Sequence, residues 1–144
     1  MNALELLKDD HDLMKKLLER AEAVDDSASR RQALQYLRND FTAHEQIEER
    51  IFYPALKEHP KAKDIVLEGY QEHHVADVLL EELEAMPPED ERWAAKLTVL
   101  RENVEHHIEE EEGEMFRTAR RVFDKHELET LGARMEDMKA GRPA

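Results

Sequence analysis

Apolar residues recur along this chain at intervals alternating three and four, the spacing that lines one face of a helix packed in a bundle. Breakers divide the pattern into four long segments and a shorter tail. The first runs from about Ala3 to Val24 and ends in Asp25, Asp26, Ser27 and Ser29, which carry N-cap chemistry for the next helix. A second helix is predicted from about Ser29 towards Glu58, with Pro54 kinking or ending it locally. His59-Pro60 separates it from a third, about Lys61 to Met86, because the residue before a proline disfavours the α conformation. Pro87-Pro88 forces a turn before a fourth helix, about Glu89 to Val122, and a weaker amphipathic stretch from about 127 to 140 closes the chain. Connections this short place consecutive helices antiparallel. The predicted fold is therefore all-α, an up-down-up-down antiparallel four-helix bundle with a short additional C-terminal helix, in a single domain over residues 1–144.

The inward seams are polar in the middle. Helix one offers Leu4, Leu7, His11, Met14, Leu18 and Ala21, and helix two Leu34, Leu37, Phe41, His44, Glu48, Ile51 and Ala55. Helix three offers Val66, Tyr70, His73, Asp77, Leu80 and Leu83, and helix four Leu97, Leu100, Val104, His107, Glu111 and Met115 with one stretched step. Four helices thus aim His11, His44, His73 and His107, with Glu48 and Glu111, at one interior. Buried carboxylates without partners cost several kcal/mol each, so a cation is expected among them.

An internal repeat selects the same residues. Residues 10–19 align with 72–81 at an offset of 62, placing His11 on His73. Residues 37–54 align with 100–117 at an offset of 63, matching His44 with His107 and Glu48-Glu49 with Glu111-Glu112. The second pair shares only five identities in eighteen, yet these include His44/His107 and Glu48/Glu111, so the halves (1–62 and 63–125) read as one hairpin written twice. The repeat also decides between the members of the doublets His73-His74 and His106-His107. His59, His74, His106 and His126 lie off the seams or at helix ends and are expected to be solvated, as are Glu109, Glu110 and Glu112.

Composition narrows the chemistry. With 21 Lys+Arg against 35 Asp+Glu, a formal net charge of −14, the chain should repel nucleic acid and anionic lipid. No apolar run reaches membrane-spanning length, about 18 residues. There is no cysteine, which excludes thiolate metal sites, iron–sulfur clusters and thiol catalysis. The first ten residues carry Glu5, Asp9 and Asp10 and lack the order of a signal peptide, so the expected compartment is the cytoplasm.

A histidine and a glutamate at i and i+4 lie one turn apart on one helix face and can reach one metal. Two such pairs plus two further histidines, related by approximate two-fold symmetry, suit two metals. Each would take two histidines while Glu48 and Glu111 bridge, and an oxo, hydroxo or water bridge would leave room for a small ligand. Imidazole and carboxylate donors suit iron, with manganese and zinc as weaker alternatives. Glu-x-x-His, the ligand spacing of ferritin-like di-iron proteins, is absent, whereas His-x-x-x-Glu occurs on helices two and four.

This arrangement resembles the hemerythrin-like family, or HHE cation-binding domain, over nearly the whole chain. Its pattern reads here as His11, then His44-Glu-Gln-Ile-Glu48, then His73, then His107-Ile-Glu-Glu-Glu111, with similar flanking text in Ile-Phe-Tyr-Pro54 and Glu-Met-Phe116. The resemblance implies a non-haem di-iron centre that binds dioxygen or a related species. Oxygen carriers of the family usually place a fifth histidine one turn after the helix-three ligand; here that position is Asp77. Its loss disfavours reversible carriage and leaves three roles open: binding dioxygen, peroxide or nitric oxide in redox homeostasis, a peroxidase- or catalase-like activity, or a sensor read by a protein partner. Glu45 is a further candidate ligand by family resemblance, Asp77 is either rim residue or ligand, and Tyr70 is a hydrogen-bond donor to the site or a ligand.

Overall fold

The computed structural model describes residues 1–141; positions 142–144 of the expected domain lie outside the described residues. Helix α1 spans Ala3–Ala23 and α2 spans Ser27–Ile47. The latter passes through a π-helical turn, Glu48–Phe52, into α3, Tyr53–Lys57. A 3₁₀ turn, Pro60–Ala62, leads to α4, Lys63–Ala85. Helix α5, Trp93–Glu110, passes through a second π-turn, Glu111–Met115, into α6, Phe116–Val122, and α7 spans Lys125–Lys139. The two rods α2–α3 and α5–α6 pack with α1 and α4 as the four-helix bundle, and α7 lies against α1 and α2. No helix among the described residues is long and apolar enough to cross a membrane.

The boundaries follow from local chemistry. Asn2 and Glu5 form a reciprocal capping box on α1, and Asp26 accepts from the Ser29 amide at 2.8 Å to start α2. The fourth long helix begins at Trp93 rather than near Glu89, because Asp90 accepts from the Arg92 amide at 2.8 Å and holds a turn after the proline pair. The tail helix begins at Lys125, ahead of the expected start, because Asp124 caps it with Glu127.

Buried apolar side chains form two clusters, one on each side of a polar layer. One gathers Leu4, Leu7, Ile51, Phe52, Tyr53, Leu56 and Phe116, and α7 covers it with Leu128, Leu131 and Met135. The other gathers Met14, Leu18, Leu37, Phe41, Leu80, Leu83, Trp93 and Leu100. Helix α7 approaches the start of α1 closely: a Cβ on Gly132 would lie 2.4 Å from the Met1 carbonyl oxygen, so only glycine fits there.

The π-turns are absent from the heptad pattern. In each, an amide reaches back five residues, Tyr53 N–H to Glu48 O and Phe116 N–H to Glu111 O. The extra residue rotates the remainder of each rod. Ala55, expected on the seam, is half-buried, while Phe52, Tyr53 and Leu56 are fully buried. Such turns are frequent at functional sites, and both begin at an interior carboxylate.

Candidate metal centre

Between the two apolar clusters, His11 from α1, His44 from α2, His73 from α4 and His107 from α5 converge with Glu48 and Glu111, all six buried. Their Nε2 atoms face the two carboxylates. His44 Nε2 lies 3.0 Å and His73 Nε2 2.9 Å from Glu48 Oε1. His11 Nε2 lies 3.2 Å from Glu111 Oε1, and His107 Nε2 lies 3.0 Å from Glu111 Oε2. Two sets of donors result, His11–His44–Glu48–Glu111 and Glu48–His73–His107, each with its ligand atoms within 4.8 Å of one another and Glu48 common to both.

Several of these atoms approach without being aligned for hydrogen bonds. His11 Nε2, His44 Nε2, Glu48 Oε2 and Glu111 Oε1 are buried and have no hydrogen-bond partner among the described residues. Buried donors crowded together without aligned hydrogen bonds suit a cation, and imidazole with carboxylate is a donor set for iron, manganese or zinc.

The opposite nitrogen of every histidine meets another carboxylate. His11 Nδ1 pairs with Glu112 at 2.7 Å, His44 Nδ1 with Asp10 at 3.0 Å, His73 Nδ1 with Glu49 at 2.7 Å and His107 Nδ1 with Glu72 at 2.7 Å. A proton on Nδ1 donated to these acceptors fixes the ring and directs the Nε2 lone pair inward, the arrangement that raises a histidine's strength as a ligand. These partners obey the repeat: Asp10 and Glu72 correspond at an offset of 62, Glu49 and Glu112 at 63.

The two halves differ at one aromatic pair. Tyr53 stacks on His73 with ring centroids 5.4 Å apart, and its repeat counterpart Phe116 stacks on His11 at 6.2 Å. Only Tyr53 carries a hydroxyl, which donates to Glu111 Oε2 at 2.7 Å and lies 3.5 and 3.4 Å from His73 and His107 Nε2. Gly69 on α4 leaves room for that ring, since a Cβ there would lie 2.8 Å from the hydroxyl oxygen.

Tyr70 instead directs its hydroxyl to the Glu49 carbonyl at 3.5 Å and packs edge-on against Tyr53. Asp77 pairs with Arg38 at 3.1 Å on the rim. Glu45 forms a half-buried group with Glu49 and His73.

Burial opposes a charge on His44, but Glu48 and Asp10 outweigh it and raise its pKa to about 10. His73 is raised against the same opposition by Glu48 and Glu49, to about 9. His107 is held well above its ordinary value by Glu111, and His11 is raised by Glu111 and Glu112, both against burial. Glu48 is held well below the usual carboxylate range, burial being overcome by His44 and its neighbours. Burial, then Glu111, pushes the Tyr53 phenol well above its ordinary value, so it donates as a neutral hydroxyl. Burial and Asp77 raise Glu45 to about 8.

The hemerythrin HHE cation-binding domain model matches residues 2–119. The chain belongs to this family. A hemerythrin HHE cation-binding domain-containing protein from Mycobacterium kansasii, known from a crystal structure, superposes with a TM-score of 0.84 at 27% identity, over 98% of this chain and 89% of that one. No curated protein matches. The matched segment ends before α7, so this HHE protein carries a helix beyond the family's segment, and the relative's coverage extends along it.

Tyr53 and the outer carboxylates Asp10, Glu49, Glu72 and Glu112 escape the sequence reading. The repeat contained the signal for the carboxylates, since each stands beside a seam histidine or glutamate in both halves. For Tyr53 no signal existed without the π-turn that rotates it inward.

Proposed function

We propose that this HHE protein holds two iron ions, one at His11 and His44 and one at His73 and His107, with Glu48 and Glu111 shared between them. The centre would bind dioxygen, peroxide or nitric oxide in oxygen, redox or iron homeostasis. The observation that supports this reading is the pair of donor sets sharing Glu48, with His11 Nε2, His44 Nε2, Glu48 Oε2 and Glu111 Oε1 buried and without a hydrogen-bond partner among the described residues. Iron bound there supplies a ferrous/ferric couple and open coordination positions.

The chain's own residues do the rest. Asp10, Glu49, Glu72 and Glu112 orient the four imidazoles, and the apolar clusters above and below exclude bulk water. Beside His44, His73 and His107, a small cavity walled by Met14, Phe41, Val104 and Ile108 has room for about one water-sized molecule. That favours a diatomic or peroxide over any larger ligand. Peroxide consumption is the second reading, favoured by the Tyr53 hydroxyl, a proton donor at Glu111, and by Asp77 standing at the fifth-histidine position in an ion pair with Arg38.

Protein purified without chelator and loaded with ferrous iron should carry two irons per chain and show near-ultraviolet and visible charge-transfer bands that respond to dioxygen or nitric oxide. Fewer than about one metal per chain after loading would overturn the proposal. Peroxide turnover that survives both Glu48→Ala and His107→Ala would remove the second reading.

A further inference from the structure

The outer carboxylates of the two histidine pairs are neutralised differently. Those behind His44 and His11 both carry a lysine: Lys139 of α7 reaches Asp10, and Lys8 lies 3.8 Å from Glu112. Of those behind His107 and His73, among the described residues, neither Glu72 nor Glu49 pairs with a lysine or arginine. Glu72 instead meets more acid. Its carboxylate lies close to that of Glu110, and His106, one turn earlier on α5, places Nε2 3.0 Å from Glu110 Oε1. Glu72, His106 and Glu110 offer one ligand atom each within 4.8 Å of one another.

The repeat shows this group to be an addition. His106 and Glu110 correspond at an offset of 63 to Ala43 and Ile47. Ile47 is buried on α2, one of the helices that α7 covers. The equivalent face of α5 has no such cover among the described residues: the side chain of His106 is 65% exposed and that of Glu110 42%. Where the first half brings a positive charge from a covering helix, the second leaves an open face bearing an imidazole and two carboxylates. The i, i+4 pair on α5 chelates along one helix, and Glu72 closes the site from α4.

We propose that Glu72, His106 and Glu110 form an accessory divalent-cation site, in which a cation does for the carboxylate supporting His107 what Lys139 does for the one supporting His44. One nitrogen and two carboxylates, completed by water, suit a borderline or hard divalent ion such as Mn²⁺, Zn²⁺ or Fe²⁺. A carboxylate has two oxygens, so Glu72 accepts from His107 while contacting the ion. The site adjoins the buried centre through Glu72, which accepts from His107, and shares none of its six inward-facing donors.

The test uses the full chain loaded with iron and dialysed against Mn²⁺, bound manganese being counted by electron paramagnetic resonance and iron by elemental analysis in the same samples. Wild type should retain one Mn²⁺ per chain beyond its iron. His106→Gln and Glu110→Gln, the first at an exposed and the second at a half-buried position, should weaken that binding by about tenfold or more with iron content unchanged. No additional Mn²⁺ in wild type, or equal binding in the variants, would overturn the proposal. If iron fails to load, the di-iron reading falls, while the difference in Mn²⁺ between wild type and variants still decides the accessory site.

Discussion

Filling the centre with metal should expel protons, and the structure sets how many. In the metal-free protein each imidazole faces a carboxylate on both sides, so both ring nitrogens can hold a proton: Nδ1–H towards the outer acceptor and Nε2–H towards Glu48 or Glu111. With pKa values of about 10 for His44 and about 9 for His73, both are almost fully protonated at about pH 7.5. His107 and His11 are raised as well. A metal needs the Nε2 lone pair, so each coordinated histidine must release its Nε2 proton while keeping Nδ1–H. Full occupancy should therefore release between about two and four protons per chain at about pH 7.5. Four ordinary imidazoles of pKa ~6.5 would each be ~9% protonated at that pH and together release only ~0.4. Titration calorimetry with redox-silent Zn²⁺, in buffers of different ionisation enthalpy, reads the number from the slope of apparent heat against buffer heat. Affinity should rise with pH through the neutral range and level off above about pH 9–10. Release of fewer than about one proton per chain at full occupancy would refute the assignment of these four histidines as protonated placeholders for metal.

The same shifts fix the pH dependence of the metal-free fold. Groups raised above an unfolded value near 6.5 contribute stability that is fully present below that value and lost as pH rises through about 9–10, so urea midpoints should fall on the alkaline side; a midpoint flat from about pH 7 to 10.5 would contradict this. Tyr53→Phe removes the donor to Glu111 Oε2 and should cost about 1–3 kcal/mol in the metal-free protein, measured by urea unfolding. Gly69→Ala places a methyl group against the Tyr53 ring and should destabilise by about 1–3 kcal/mol despite the helix-favouring residue; a stabilised variant would show that the ring does not sit against α4. Lys139→Met leaves the buried Asp10 without its ammonium. It should lower stability by about 1 kcal/mol and speed loss of metal to a chelator, with Lys139→Arg restoring both; unchanged chelator kinetics would separate α7 from the centre.

Spacing makes the bundle and its six interior polar residues legible because both obey periods of three and four. What it leaves unplaced has a separate physical cause in each case. A π-turn adds one residue without any change of residue type to announce it, so spacing puts Ala55 on the seam that Phe52, Tyr53 and Leu56 occupy. Glu112 reads as solvated acid because a charged run is usually that; its bond to His11 Nδ1 comes from a helix about a hundred residues distant. Asp77 and Tyr70 share a seam with His73, yet Arg38 and the Glu49 carbonyl supply local partners that period alone does not reveal. Helix α7 registers in sequence as a weak amphipathic tail, and its part in the centre rests on one terminal lysine.

Each rod is one residue too long for its heptad, and the surplus is stored at the carboxylate. Deleting Gly113, beside which a Cβ would meet open space, would let α5 and α6 run on as uninterrupted α-helix, with Phe116 and Ala119 still able to find core positions one step back. Glu111 would then be held by ordinary α-helical bonding at the level where the widened turn now frees it. Such a deletion should separate durability from purpose: an unfolding midpoint close to wild type in a chain that no longer retains metal. Chain length, as well as residue type, is part of what specifies this centre.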